Sequence, residues 1–362
     1  MNITFVLPGL SSKPTGGFKI VFEYANRLLE LPGNWNVNIC FSGEGYTQGV
    51  YGFMPSWTRS FINTARALIE PRWFSLDERI NKLYVEKITN ETIPDADWVF
   101  ATAIETVEGV SKLSSTKGVK GYLIQGFENW GVGDSAVLKS FQMGFKNVAI
   151  STWLQKVVED ASQCDCLLIS NPVDIDLFKR RDDDVVDDCA VSVLYHPAKH
   201  KGFEYAWDAI TIAKRRFPNL KVNMFGAFAK PLGMPRWVSY TRNASPEQLR
   251  NIYSHSSMYV CASINEGYGL TCVEAMSCSC PVVVSDFLGS REYAKDGQNA
   301  LVSPAADPEA MADNICRLLT DAELRERVSA GAYESTRGLS WDVAVRRFAS
   351  FLFENKSVNS SL

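Results

Sequence analysis

Residues 258–276 read MYVCASINEGYGLTCVEAM, and the order of residue types in this stretch decides the fold. Met258 to Ala262 form an apolar run of strand length. Gly267 and Gly269 break it, and a helix is expected from about Gly269, apolar at Val273, Ala275 and Met276. A buried strand, a glycine turn and a helix open a unit whose chain crosses over to a parallel neighbour. Such a turn also brings free backbone N–H groups to a helix N-terminus, which suits an anion such as a diphosphate.

The same alternation runs outward in both directions. Toward the C-terminus, Val282 to Ser285 reads as a strand, and Pro308 to Leu319 and Glu323 to Gly331 read as helices. Toward the N-terminus, Val191 to Tyr195 and Val222 to Phe225 read as strands around a helix from Phe203 to Arg216. The first half repeats the theme. Ile3 to Leu7 is a strand, Phe18 to Leu29 has helical spacing, and Val37 to Phe41 is the next strand. Short buried strands follow at Trp98 to Ala101, Tyr122 to Ile124, Val148 to Ile150 and Leu167 to Ile169. Turn chemistry at Ser170-Asn171-Pro172-Val173-Asp174 and a charged run from Lys179 to Asp188, read as a solvated loop or linker, interrupt the series. The fold class is therefore α/β, with two Rossmann-like doubly wound parallel-sheet domains, 1–172 and 173–340. Ligands of such folds sit at the carboxyl ends of strands, so a cleft faced by both domains is the expected site.

Composition narrows the function. The chain has 362 residues, a hydrophobic fraction of 46% and a formal net charge of −4, so no global field favours nucleic acid. No apolar run reaches bilayer length, and Met1 to Leu10 reads as a strand rather than a signal peptide. The nine cysteines include Cys164 and Cys166 and the trio Cys272, Cys278 and Cys280, but no His lies near and no Cys-x-x-Cys occurs. Reduced, buried thiols in a cytoplasmic protein are expected, with no metal. The segment 51–87 keeps two readings open. It is a helix packed on the N-terminal domain, or an amphipathic helix with Trp57, Phe61, Leu68 and Arg59, Arg66 lying peripherally on the inner face of a membrane.

The chemistry-bearing residues cluster in three places. Glu266 lies on the glycine turn, and Glu274 about one turn inside the following helix among apolar neighbours. A carboxylate there is costly to bury unless it accepts hydrogen bonds, for example from sugar hydroxyls; the plainer alternative is an exposed helix residue. A second loop, His196-Pro197-Ala198-Lys199-His200-Lys201-Gly202, presents cations at a strand end, where they could neutralise a leaving diphosphate. A third, Pro8 to Lys19, ends in Gly16-Gly17 at a helix start but matches neither the P-loop nor the dinucleotide fingerprint.

In this order the segments resemble the retaining family 4 glycosyltransferases of GT-B architecture. The resemblance rests on Gly16-Gly17, Asn171-Pro172-Val173-Asp174, Lys201-Gly202, the Glu266 to Glu274 element, the Ser285 to Glu292 loop and Ser340-Trp341. It implies a metal-independent transferase using a UDP-, GDP- or dTDP-sugar, with no cofactor and a glycan or lipid-linked glycan as acceptor. Glu266 would touch the transferred sugar, Glu274 the ribose, and Lys201 the diphosphate. Gly267, Tyr268, Gly269 and Leu270 would offer amides to the phosphates, with Gly16 and Gly17 closing over the donor. The helix in 341–362 would cross back to the N-terminal domain. Members usually carry Arg where this chain has His196, so phosphate binding would depend on a protonated His196 or be shared with Lys199. Gln125 and Glu128 resemble an element of bacterial rhamnosyltransferases and become acceptor-side candidates, against a plain loop-capping role. Two rivals stay open: a nucleotide-sugar epimerase or phosphorylase on the same fold, and a catalytically silent sugar-binding partner of a transferase.

Overall fold

A computed structural model describes residues 1–44 and 56–356 of the chain. It divides into two compact units: Met1–Ser170 with Ala344–Leu362, and Asn171–Val343.

In the first unit β1 (Asn2–Leu7), α1 (Gly16–Leu28), β2 (Asn36–Ser42), α2 (Ser56–Ile69), β3 (Asn81–Val85) and β4 (Trp98–Ala101) come first. Then follow α3 (Ile104–Ser111), β5 (Val119–Ile124), α4 (Asp134–Phe141), β6 (Lys146–Ala149), α5 (Thr152–Ser162) and β7 (Cys166–Leu168). All seven strands pair in parallel, in the order β3-β2-β1-β4-β5-β6-β7. The central strands are apolar on both faces because helices cover both: Phe5, Val99 and Phe100 are fully buried. The order reverses between β1 and β4, which places a crevice at their carboxyl ends.

The second unit holds β8 (Asp187–Leu194), α6 (Phe203–Arg216), β9 (Lys221–Gly226), β10 (Val238–Arg242), α7 (Pro246–His255) and β11 (Ser256–Cys261). It continues with α8 (Leu270–Ser277), β12 (Val282–Ser285), β13 (Leu301–Ser303), α9 (Pro308–Thr320) and α10 (Ala322–Thr336). Its six strands are also parallel, ordered β10-β9-β8-β11-β12-β13, and here the reversal falls between β8 and β11. The last helix, α11 (Trp341–Lys356), belongs to the first unit from Ala344 onward. There Phe348 packs against Phe5, Tyr24 and Phe100, the Trp98 indole N–H donates to the Leu352 carbonyl at 3.2 Å, and Lys356 pairs with Asp97 at 3.0 Å.

Two expectations change on contact with the structure. The charged run Lys179 to Asp188 is not simply a solvated linker. β8 begins inside it at Asp187, and Asp184 is buried against Arg250 of α7. Three strands also lie outside the expected ones: β3 and β10, whose sequences are partly polar, and β13, which has three residues. Within 51–87, residues 51–55 lie outside the described residues, as do the side chains of Trp57 and Arg59. The rest includes α2 and β3; Asn63 and Ala67 are buried, while Phe61, Leu68 and Ile69 are exposed. Among the described residues no helix is long and apolar enough to cross a membrane.

Candidate functional site

In the second unit the reversal between β8 and β11 brings two loops side by side. The strands run in register, with Met258 beside Val191 and Val260 beside Val193, so the loops after them start level. The loop after β8 closes in a short turn, Lys199–Lys201, and the His200 carbonyl accepts from the Ile264 and Asn265 N–H groups at 2.8 and 3.3 Å. Gly202 makes this approach feasible. Its φ is +60°, and a β-carbon there would lie 1.9 Å from the Ala262 carbonyl oxygen. Gly202→Ala should therefore push the two loops apart and destabilise the second unit by at least about 2 kcal/mol, read as a lower urea midpoint. An unchanged midpoint would show that the loops tolerate separation.

That zipped backbone carries the charges. Lys201 Nζ donates to Glu266 Oε1 at 2.5 Å, and Ser263 Oγ donates to Glu266 Oε2 at 2.9 Å. Burial raises the Glu266 pKa and lowers that of Lys201, but their mutual attraction outweighs it in both. Glu266 is held below, and Lys201 above, its ordinary value, so the two form an ion pair at neutral pH. Ser285 Oγ, donating to the Ser263 carbonyl at 2.5 Å, ties the turn to β12.

The glycine turn then opens α8. Gly269 is the N-cap at φ +102°, and no side chain caps the helix start. A side chain at Gly269 would strike the Tyr293 hydroxyl at 2.4 Å, so only glycine fits this corner. Tyr268 is buried with its ring 5.6 Å from that of Tyr293, and Leu270 follows as the first helical residue. Glu274 is buried, 5% exposed, and its Oε2 lies 3.5 Å from the Tyr253 hydroxyl. The exposed-residue alternative for Glu274 is thereby excluded.

His196 stands at the end of β8 with its Nδ1 accepting from the Ala198 N–H at 3.1 Å and its ring edge against Phe228. Burial, and then the charge of Lys201, push its pKa down to about 4. The imidazole is therefore neutral at pH 7 and brings a hydrogen-bond donor at Nε2 rather than the charge of an arginine. Lys199 is exposed on the same turn. Among the described residues no group of three or more His, Cys, Asp or Glu is arranged to hold a metal ion, and all nine cysteines are free thiols.

The first unit has its own group at the reversal between β1 and β4. Gln125 follows β5 and reaches across it. Its Nε2 donates to the Gly17 carbonyl at 3.2 Å, beside the Thr102 carbonyl at 3.5 Å. Gly16 opens α1, which has no side-chain cap. Glu128 accepts from the Ile104 N–H at 2.7 Å, at the start of α3. Burial pushes its pKa up to about 7, with that hydrogen bond opposing and Glu105 adding to the rise. So Glu128 does cap a helix, yet remains poised to hold or release a proton near neutrality.

The sequence reading missed Ser263 and Tyr253. Ser263 was discoverable: Ser-x-x-Glu spacing lets a hydroxyl meet a carboxylate across one turn. Tyr253 comes from α7 and has no local signal.

The chain is similar to known proteins in sequence and in fold. Residues 191–335 match the family described as Glycosyl transferases group 1. D-inositol 3-phosphate glycosyltransferase from Frankia alni is 32% identical over 118 residues, 33% of this chain and 29% of that protein. The chain thus matches less than a third of that relative's length. HepE from Anabaena, solved with UDP-glucose, aligns over 98% of this chain and 100% of its own with a TM-score of 0.73 and 16% identity. Sucrose-phosphate synthase from Thermosynechococcus elongatus covers 99% and 100% with a TM-score of 0.72 and 14% identity. The fold is GT-B. The match to the group 1 family falls within the second unit.

Proposed function

We propose that the chain is a retaining glycosyltransferase. It moves a hexose or deoxyhexose, rhamnose among them, from a nucleotide-diphosphate sugar to a glycan or lipid-linked glycan in surface polysaccharide synthesis. The observation that carries this reading is the Lys201–Glu266 pair at the β8/β11 reversal, beside an uncapped helix start and one turn from the buried Glu274. The diphosphate lies on the amides of Gly267 to Leu270, with Lys201 and the His196 Nε2–H meeting its oxygens. Lys199 adds charge from the rim. Glu274 accepts the ribose hydroxyls, and Glu266 a hydroxyl of the transferred sugar. Gly16 and Gly17 contribute to donor binding from the first unit, and Gln125 and Glu128 to acceptor binding.

As the bond from the anomeric carbon to the diphosphate breaks, charge builds on the leaving oxygen and Lys201 absorbs it without a metal. The acceptor hydroxyl forms the new bond on the same face and passes its proton to the leaving phosphate. The exposed row Phe61, Leu68 and Ile69 on α2, a helix without acidic residues, supports peripheral contact with the cytoplasmic face of a membrane.

A panel of UDP, GDP and dTDP tests the donor site by melting temperature, with and without EDTA. One nucleotide at a hundredfold excess over its Kd should stabilise the second unit by about 2.7 kcal/mol, and chelation should not remove the effect. No shift with any of the three would end the reading, and a shift lost on chelation would end its metal independence.

A further inference from the structure

The loop after β5 exposes an indole. It runs Gly126-Phe127-Glu128-Asn129-Trp130-Gly131-Val132-Gly133 and ends where α4 begins. Of the tryptophans whose side chains are described, Trp130 alone is exposed, at 47%, and Val132 beside it is 48% exposed. The loop holding them is tied shut. Asn129 Nδ2 donates to Asp134 Oδ1 at 2.8 Å, and the Asn129 carbonyl accepts from the N–H groups of Gly133 at 2.9 Å and Val132 at 3.3 Å. A large apolar face on a fixed turn is already ordered for contact and loses little freedom on binding.

Its neighbours define what it contacts. A β-carbon on Gly126 would sit 4.0 Å from Trp130 Cη2 and 3.9 Å from Glu128 Cγ, so the indole edge and the carboxylate stem flank one bare stretch of backbone. Glu128 spends Oε2 on the Ile104 N–H, which fixes the direction of Oε1. An aromatic face and a carboxylate over a side-chain-free floor match a ligand with one apolar face and a rim of hydroxyls. A pyranose ring has that form: its axial C–H bonds make the apolar face, and its equatorial hydroxyls the donors.

We infer that Trp130 is the platform on which a pyranose ring of the acceptor stacks, with Glu128 receiving a hydroxyl from the ring's edge. This rests on the transferase reading and narrows its acceptor to a sugar recognised through its ring face. An aliphatic lipid chain would use the indole but not the carboxylate, and a peptide would not select for pyranose stereochemistry.

The test uses the full chain and saturation-transfer NMR with the methyl α-pyranosides of glucose, galactose, mannose, N-acetylglucosamine and rhamnose. At least one should receive saturation at the C–H protons of a single ring face in the wild type. Trp130→Ala and Trp130→Leu should both lose the signal, and Trp130→Tyr should retain it, because the aromatic face and not mere apolarity holds the ring. Retention of the signal in Trp130→Ala or Trp130→Leu, or binding of no pyranoside by the wild type, would overturn the inference. The nucleotide melting shift, measured on the same samples, keeps the two readings apart. If it survives in every variant while pyranoside binding does not depend on the indole, the platform fails and the transferase reading stands. If the wild type shows no nucleotide shift, the transferase reading fails first.

Discussion

Lys201→Ala should lower turnover at saturating donor by at least about a hundredfold, equivalent to ~2.7 kcal/mol or more of lost transition-state stabilisation. The reason lies in where the ammonium is kept and how. Lys201 sits in a partly buried corner where burial alone would favour its neutral form, and Glu266 at 2.5 Å reverses that preference. The cation is thus set in place before any ligand arrives, and it needs no solvent reorganisation when charge develops on a leaving diphosphate. Alanine removes that charge and leaves Glu266 with the hydrogen bond from the Ser263 hydroxyl. The carboxylate then keeps the burial that raises its pKa and loses the cation that lowers it. The residual activity should therefore fall further on mild acidification than that of the wild type, as Glu266 takes up a proton. Lys201→Arg keeps the charge but not the point-like geometry, and should lie between the two. Single-turnover rates with melting curves as the control for folding decide the matter. Near-normal turnover in a folded Lys201→Ala protein would remove Lys201 from the reaction.

The two sheets are legible in the sequence because parallel strands covered on both faces read as unbroken apolar runs. Ile3 to Leu7 and Val282 to Ser285 are of this kind, and each is almost wholly buried. The strands that escape detection lie at sheet margins. β3 and β10 are edge strands with polar residues among the apolar ones, Asn-Lys-Leu-Tyr-Val and Val-Ser-Tyr-Thr-Arg, and β13 is an edge strand of three residues. An edge has one open side, so its sequence is mixed and short, and a charge such as Lys82 or Arg242 is at home there. The same logic governs the site. Lys201 and Glu266 each announce themselves at a strand end, and the parallel register of β8 and β11 brings them together. The neutral state of His196 is not legible, because it follows from burial and from a lysine's charge that only the fold supplies. Asp184 is the clearest miss: a run of Arg and Asp reads as solvated when its partner lies 66 residues away.

Arg250→Ala should cost the second unit about 3–5 kcal/mol, the largest stability loss expected from any single truncation outside the apolar core. The Arg250 side chain is 2% exposed and that of Asp184 6%, and the guanidinium Nη2 donates to Asp184 Oδ2. Its Nε donates to the Lys179 carbonyl at 3.0 Å and its Nη1 to Asn251 Oδ1 at 2.6 Å. This one side chain therefore binds the charged run to α7 by two bonds, to Lys179 and Asp184, while the bond to Asn251 stays within α7. Truncation strands Asp184, a carboxylate kept from water, with the Arg181 N–H at 2.7 Å and His255 at 3.7 Å, the latter charged only when protonated. Burial works against the Asp184 charge, but the Arg181 N–H and then Arg250 overcome it, and its pKa lies below the ordinary aspartate value. The sign follows. A carboxyl depressed in the folded state contributes its full stability above its unfolded pKa of about 3.9 and loses it as pH falls through the folded value. The gap between wild type and Asp184→Asn should thus be widest near neutrality and close in acid. Urea denaturation across that range measures both effects. The decisive comparison is the double replacement Arg250→Met with Asp184→Leu, which leaves no buried charge and should recover most of what Arg250→Ala loses. If the double variant is as unstable as Arg250→Ala, the hydrogen bonds to Lys179 and Asn251 hold this corner, and the ion pair does not.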